Sequence, residues 1–500
     1  MSTATMAAPG TATEYETVIG LEVHTQLLTK SKMFCGCSAA YFAAPPNTHV
    51  CPVCLGMPGV LPVINRAAVE AATMTGLALG CTIPPANKFD RKNYFYPDLP
   101  KGYQISQYDL PLAIGGQLTF LHNGAEHTVG ITRIHMEEDT GKNTHASDPA
   151  TGEGYSLVDL NRAGVPLLEI VSEPDLRSPE EARSYLMTLR QILRYIGVST
   201  GNMEEGALRC DANVSIRPVG SPTFGTKVEI KNMNSFRAVE RAIAYEVERQ
   251  KRVLASGGTI VQETRGWNDD QGVTLSQRTK EEANDYRYFP EPDLPPLKMA
   301  SAWIEAIHGR MAELPAARRA RFVAHYGLRE ADAATLTEAR AVADYFEAAL
   351  GPGATPERAR LTANWITGDL FAAVTDREAL DRHPLTPARL RGLLDLVEAG
   401  TINRTVGKQV FEALLADSTT DAATIVAQRG LAQVSDEGPL REAVRRALAE
   451  NPAPVADFLK GKTAAKGRLV GATMKLLGGR GDAAVVNRLL DEELNALPRG

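Results

Sequence analysis

Cysteine is scarce in this chain. Six in 500 residues cannot build a disulfide framework, and four of them fall within one stretch of twenty, which points to a metal and to a reducing compartment. Long apolar runs are missing: none reaches the roughly 18 residues that a membrane span needs. Met1–Glu16 has neither a basic start nor an apolar stretch, so it reads as a frayed N-terminus and not a signal peptide. The expected setting is a reducing cytoplasm, with no membrane partner. There is no G-x-x-x-x-G-K-[ST] motif. Gly461-Lys462-Thr463 comes nearest, but Ala456 stands where the first glycine belongs. There is no G-x-S-x-G turn, and neither Cys81 nor Cys210 has a catalytic context. Any nucleotide use therefore lies outside the P-loop and kinase families, and there is no hydrolase elbow. Internal repeats and long low-complexity linkers are also lacking. Positive charge is not in excess: Lys+Arg 54 against Asp+Glu 60 leaves a net charge of -6, which argues against a basic coat but not against a local patch.

What remains is the composition of a globular protein, 44% hydrophobic and 23% charged. Domains of about 100–200 residues imply two to four of them. Residues 17–300 mix strand and helix signals and hold nearly all the unusual polar residues. From about Ala300 the chain turns to Ala/Leu/Arg/Glu helices, with helical spacing over Ala341–Leu350 and Pro439–Glu450 and a break near Gly400–Asn403. The expected fold class is α+β.

Gly20-Leu21-Glu22-Val23-His24 closes an apolar run that reads as a buried strand. Alternation puts Glu22 and His24 on one face, with Leu21 and Val23 on the other. A carboxylate beside an imidazole can bind a metal or share a proton, and a solvated strand end explains a lone E-x-H as well. Other acids in strands bear on the choice. Ile131–Lys142 ends an alternating strand in Glu137-Glu138-Asp139. Glu169 is the only charge in the apolar strand Val165–Val171, and a buried carboxylate must be paired, protonated or metal-bound. Arg162 is a candidate partner.

Cys35-Gly36-Cys37 and Cys51-Pro52-Val53-Cys54 are two close thiol pairs thirteen residues apart. That spacing suits a closed, tetrahedral, structural zinc site; His49 is the only nearby residue that could share in it. Asp90–Asp98 and Lys101–Gln107 interleave bases, rings and amides. Arg91, Lys92, Tyr94, Tyr96 and Lys101 suit phosphates and a stacked base. Ser178-Pro179-Glu180-Glu181 opens a capped helix with the inner stripe Leu186, Leu189, Leu193 and Ile196, ended by Gly197. Leu208–Arg217 and Lys227–Lys231 each carry one polar face, including Arg209 and Asp211, that suits a phosphate-and-sugar-lined cleft as well as an ordinary wet side, and they can pair as a hairpin through 218–226. Phe458–Gly481 carries Lys460, Lys462, Lys466, Arg468, Lys475 and Arg480 with no acid among them.

The strings V-I-G-L-E-V-H, K-F-D-R-K-N-Y-F-Y-P-D, H-M-E-E-D, S-L-V-D-L-N-R, E-I-V-S-E-P-D, G-A-L-R-C-D-A-N-V-S and D-Y-R-Y-F-P-E-P-D resemble the B subunits of glutamine-dependent aspartyl/glutamyl-tRNA amidotransferases, the GatB/GatE family. The resemblance runs from about residue 17 to the C-terminus and is strongest before 297. It implies a disordered 1–16, a mixed-sheet catalytic cradle over 17–297, an all-helical domain over 298–402 and a small tRNA-binding tail over 403–500, similar to YqeY proteins. It implies ATP- and Mg²⁺-dependent phosphorylation of the side-chain carboxylate of Asp or Glu misattached to tRNA(Asn) or tRNA(Gln). Ammonia from a separate amidase subunit then displaces the phosphate. By resemblance the catalytic Mg²⁺ ligands fall on Glu22, His24, Glu138 and Glu169. The implied partners are that amidase, a small third subunit of the GatCAB heterotrimer and the misacylated tRNA, with an aminoacyl-tRNA synthetase as a further candidate. The zinc cysteines occur in only part of the family, and this chain keeps all four. The basic tail is expected to grip tRNA phosphates. Two other readings remain open from the residues alone: an RNA-binding adaptor without catalysis, and an unrelated ATP-dependent ligase acting on a small carboxylate.

Overall fold

The computed structural model describes residues 14–279, 286–434 and 436–497. Most of the expected frayed N-terminus lies outside them, and its last residues, Tyr15 and Glu16, already belong to the first strand, Tyr15–Gln26. The chain forms two compact units, one ending at Pro315 and one beginning at Ala316. The architecture is α+β. No helix among the described residues is long and apolar enough to cross a membrane.

The first unit is built on a 12-stranded sheet. Tyr15–Gln26 lies inside it, antiparallel to Pro166–Ser172 on one side and to Leu208–Pro218 on the other. Beyond Pro166–Ser172 come Ala125–Glu138, then Tyr103–Ser106, then Asp90–Asn93, all antiparallel. On the other side Val228–Met233 pairs antiparallel with Leu208–Pro218, as the turn composition of 218–226 predicts. Glu263–Asn268 then lies parallel to Val228–Met233. A parallel neighbour needs a crossover, and the helix Phe236–Ala255 supplies it.

Alternation sorts the side chains of this sheet into two faces. Ile19, Leu21, Val23, Ile134, Met136, Leu168, Ile170, Ala212 and Val214 are buried in one core. That core includes Tyr185, Leu186, Leu189 and Leu193 of the helix Pro179–Tyr195, and Val239, Ala242 and Ile243 of Phe236–Ala255. Full burial of each large aliphatic contributes about 1.5–3 kcal/mol. The polar positions between them are thus left on the opposite face. The Ser178 hydroxyl accepts the Glu181 N–H at 3.1 Å. The Glu181 carboxylate accepts the Arg177 N–H at 2.8 Å, so the returning half of the expected capping box is displaced by one residue. Gly197, at φ +73°, ends the helix as expected.

The first unit extends past residue 297 because the helix Ser301–His308 packs on Arg66–Ala78. Trp303 and Ile304 join the core, and Arg310 pairs with Glu70 at 3.2 Å. The second unit is made of helices joined by turns. Arg340–Leu350, Pro387–Glu398 and Arg404–Ala416 bury Phe346, Leu393, Leu394, Val410 and Leu414. Gly407 lies against Trp365 and Val397, so packing continues across the expected break at 402. Glu437–Glu450, Ala465–Leu476 and Ala483–Asn495 form a further core around Leu440, Val444, Leu469, Leu489 and Leu490.

Candidate functional site

Strand register lines up one row across four strands: Arg209, His24, Glu169 and His135 are successive cross-strand partners. Glu22 and Asp211 are partners in the adjoining row. All six occupy the polar face, as does Glu137, two residues from His135. His24 Nε2 stands 3.4 Å from Glu169, 3.8 Å from Glu22 and 3.8 Å from Glu137. His135 Nε2 reaches the same Glu169 oxygen at 3.1 Å. His24, Glu137 and Glu169 offer donor atoms within 4.8 Å of one another, and so do Glu22, His24 and Asp211.

The charges in this cluster are unbalanced. Burial, aided by the Glu169 charge, pushes the Glu22 carboxyl up to about 7. Burial alone would lower His24, but its hydrogen bond to Glu169 and the charges of Glu169, Glu137 and Glu22 raise it to about 9. Burial would raise Glu169, yet His135 and His24 hold it well below the usual carboxylate range. A group of buried carboxylates that draws protons onto itself is a place where a divalent cation would be stabilised. The oxygen-rich donor set suits a hard ion such as Mg²⁺.

Two lysines flank the cluster. Burial would lower Lys92, but the fields of Tyr288, Glu137 and Glu169 raise it, and its ammonium sits 4.9 Å above the Tyr286 ring. Lys231 pairs with Asp211 at 2.5 Å and Glu229 at 3.6 Å. Both line an open cleft of about 990 Å³ together with Tyr94, Tyr96, Tyr286 and Phe289.

The sequence-derived candidates separate accordingly. Glu22, His24 and Glu169 meet. Glu138, the fourth residue that the resemblance implies, is not among the donors that lie within 4.8 Å of His24. Its neighbour Glu137 takes the polar face, so Glu138 turns to the other, where it pairs with Lys101 and accepts the Ile105 N–H at 3.0 Å. Lys92, Tyr94, Tyr96 and Asp211 stand at the cluster or its cleft. Arg91 and Lys101 do not. Arg91 alternates with Lys92, and its guanidinium is held by Glu291 at 2.6 Å, over the Tyr103 ring. Arg209 is in the row, but it is committed to buried Asp139 at 2.9 Å. Asp139 also accepts from Gln26 at 2.7 Å, whereas Arg162 pairs with Asp139 at 3.7 Å and not with Glu169. Glu137 and Lys231 are marked in the sequence only as part of an acid run and of a polar strand face, and His135 is passed over. The signal for Glu137 and His135 was present: Arg133, His135 and Glu137 alternate with Ile134 and Met136.

Away from this face, the four cysteine sulfurs lie within 4.8 Å of one another. The Cys51 N–H donates to Cys54 Sγ at 3.1 Å within the Cys-Pro-x-Cys turn. A hydrogen bond from Cys35 holds the Cys54 thiol down near 4, while burial pushes Cys37 up to about 11. A thiolate among close thiols is the donor set of a tetrahedral zinc centre. His49 is not one of the group. In the tail, acids from outside the basic run enter it in space: Lys462 pairs with Asp457 at 2.9 Å and Lys466 with Asp491 at 2.7 Å. The side chain of Arg480 donates to the carbonyl of Gly430 at 2.6 Å.

Comparison with known proteins follows this division. Residues 17–305 match the family model described as the GatB/GatE catalytic domain, and residues 344–494 match that of the GatB domain. The B subunit of the aspartyl/glutamyl-tRNA(Asn/Gln) amidotransferase of Thermomicrobium roseum is 60% identical over 482 residues, covering 96% of this chain and 99% of its own. The protein of the same name from Moorella thermoacetica is 55% identical over 482 residues, covering 96% and 100%. That from Anaeromyxobacter dehalogenans is 54% identical over 483 residues, covering 96% and 99%.

Proposed function

The chain belongs to the GatB/GatE family, and on that premise we propose that it is the B subunit of a tRNA-dependent amidotransferase, a ligase that activates the side-chain carboxylate of Asp-tRNA(Asn) or Glu-tRNA(Gln) with ATP before amidation. The observation that supports this reading best is the convergence of Glu22, His24, Glu137 and Glu169 on one sheet face, between the ammonium groups of Lys92 and Lys231.

A carboxylate resists attack by ammonia. It becomes reactive when one of its oxygens attacks the terminal phosphorus of ATP, the bond to ADP breaks, and an acyl phosphate results. Ammonia then adds at the acyl carbon, and inorganic phosphate leaves with the former carboxylate oxygen. Such transfer depends on charge neutralisation and in-line placement more than on covalent help. Glu22, His24, Glu137 and Glu169 would hold Mg²⁺, which neutralises phosphate charge and aligns the phosphoryl group when bound. His135 orients Glu169 from behind. Lys92 and Lys231 bind phosphate oxygens from the two sides of the cleft, and Tyr94 and Tyr286 limit the access of water.

The four cysteines hold a structural Zn²⁺. The ammonia comes from an amidase partner, with a small third chain completing the assembly, and the reaction belongs to the cytoplasm. Lys460, Arg468 and Lys475 contact tRNA phosphates, with Lys462 and Lys466 released from Asp457 and Asp491 for that purpose. The test is ATP turnover by the purified assembly with misacylated tRNA. Glu169→Gln should abolish turnover, and Glu137→Gln should confine it to much higher Mg²⁺ concentrations, while tRNA binding is kept in both. Turnover that is unaltered by either change contradicts the reading.

A further inference from the structure

Lys32 is buried at 0% exposure, and among the described residues its Nζ hydrogen-bonds to the carbonyl oxygens of His49 at 2.8 Å and Leu160 at 3.4 Å and to Cys54 Sγ at 3.7 Å. Among the described residues no carboxylate pairs with it. An ammonium stripped of water costs several kcal/mol unless an opposite charge stands nearby, and two carbonyls supply dipoles but no charge. The cysteine cluster can supply the charge. A Zn²⁺ ion bound by four thiolates keeps two surplus negative charges, and outer partners of metal ligands commonly hold the ligands in place.

We propose that Lys32 is the charge partner of the four-cysteine centre, its ammonium set against the Cys54 sulfur to offset the surplus charge of the metal-loaded thiolates. The inference rests on reading the cysteines as a zinc centre. It does not depend on the chemistry of the Glu22 cluster.

The surroundings are built to keep the ammonium there. The Lys32 N–H donates to the Cys37 carbonyl at 2.9 Å, which ties the lysine backbone to the first thiol pair. The Lys32 carbonyl accepts from Asn65 Nδ2 at 3.1 Å, and the next residue, Met33, donates its N–H to Gly164 at 2.7 Å. Gly164, at φ +89°, sets its backbone against the lysine stem: a Cβ there would lie in ordinary contact, 3.4 Å from Lys32 Cδ, 3.6 Å from Cys54 Cβ and 3.8 Å from an oxygen of Glu138, a carboxylate already paired with Lys101. The stem is therefore fixed at both ends, by its own backbone and by the carbonyls around its head. Asn65 also caps the helix Arg66–Ala78, so the same lysine joins the metal knuckle to the body of the first unit.

The experiment uses the full-length protein with Zn²⁺ as the probe. Wild type should hold one Zn²⁺ per chain, and Lys32→Met should lose it to a competing chelator at about 10–100-fold lower chelator concentration. With Co²⁺ in place of Zn²⁺, Lys32→Met should shift the sulfur-to-metal charge-transfer band to lower energy, because an unneutralised thiolate gives up an electron more readily. A purely structural lysine would leave that band where it is. Should Lys32→Met not fold, acylation of lysines in wild type decides: Lys32 should stay unmodified with Zn²⁺ bound and become modified once the metal is removed. A wild type that takes no Zn²⁺ overturns both the zinc reading and the proposal. Equal Zn²⁺ retention and an unmoved band in Lys32→Met, or unchanged protection after metal removal, overturn the proposal alone.

Discussion

Glu137 and Glu138 adjoin in sequence and face opposite sides of one sheet. Glu137 stands 3.8 Å from His24 among the carboxylates of the cluster, whereas Glu138 is buried against Lys101. The two positions therefore respond differently to the same change. Glu137→Gln should raise the Mg²⁺ requirement for ATP turnover about 10–100-fold and leave the melting temperature close to that of wild type. Glu138→Gln leaves Lys101 buried without its counter-charge, a loss of about 3–5 kcal/mol in stability, with no shift in the Mg²⁺ requirement of the protein that remains folded. Thermal melting and an Mg²⁺ titration of turnover check both. If Glu138→Gln moved the Mg²⁺ requirement and Glu137→Gln did not, the ligand set would be the reverse.

Cation binding at the cluster should depend on pH, with a definite sign. Without metal, Glu22 keeps its proton up to about pH 7 and His24 up to about pH 9. A cation binds the deprotonated forms and must displace those protons. Affinity for Mg²⁺, or for Mn²⁺ as a spectroscopic substitute, should therefore rise from pH 6 to pH 9, with protons released on binding. Titrations across that range check it; a pH-independent affinity contradicts it.

In the helical unit, Glu347 accepts from Arg318 at 2.5 Å, Arg321 at 2.6 Å and Tyr326 at 3.0 Å. Burial would raise this carboxyl, but the two guanidinium groups bring it down to about 2, from an ordinary value of 4.5. A carboxyl lowered on folding contributes stability above its ordinary value, and that contribution is lost as pH falls towards the folded value. Allowing for solvent screening, Glu347→Gln should cost about 1–2 kcal/mol at pH 7. The gap to wild type should close between about pH 4.5 and 2. Urea unfolding at several pH values measures it.

The tail cations divide by their partners. Lys462 and Lys466 are held by Asp457 and Asp491, so their engagement with phosphate breaks an ion pair. Replacing Lys460, Arg468 and Lys475 together with alanine should weaken tRNA binding uniformly across sequences and lower the slope of log affinity against log salt by about one per lost contact. An unchanged slope removes this helical core from the tRNA contact.

Much of the site is legible in the chain because strands have a period of two. Glu22 and His24 alternate with Leu21 and Val23, and Glu169 is a lone charge among aliphatics; both patterns survive in the fold unchanged. The close spacing of the cysteine pairs likewise survives as one cluster. What is hidden is phase and distance. Three acids in a row, Glu137-Glu138-Asp139, disguise which one shares a face with His135, and only the flanking Ile134 and Met136 reveal it. The neighbours Arg91 and Lys92 conceal the same choice: Arg91 is claimed by Glu291, 200 residues on, a pairing that no local pattern announces. The tail looks free of acids along the chain, yet Asp491 reaches it from the last helix. Among the helical segments, composition marks the turn to helices near Ala300 but not that Ser301–His308 packs back on Arg66–Ala78.

The most direct test of the central claim follows the carboxylate oxygen. Misacylated tRNA carrying aspartate or glutamate labelled with ¹⁸O in the side-chain carboxylate is amidated by the full assembly with ATP, and the inorganic phosphate is analysed by mass spectrometry. Activation by phosphoryl transfer predicts one ¹⁸O in each phosphate released per amide formed, and no labelled phosphate with Glu169→Gln. Unlabelled phosphate accompanying normal amide formation would contradict it.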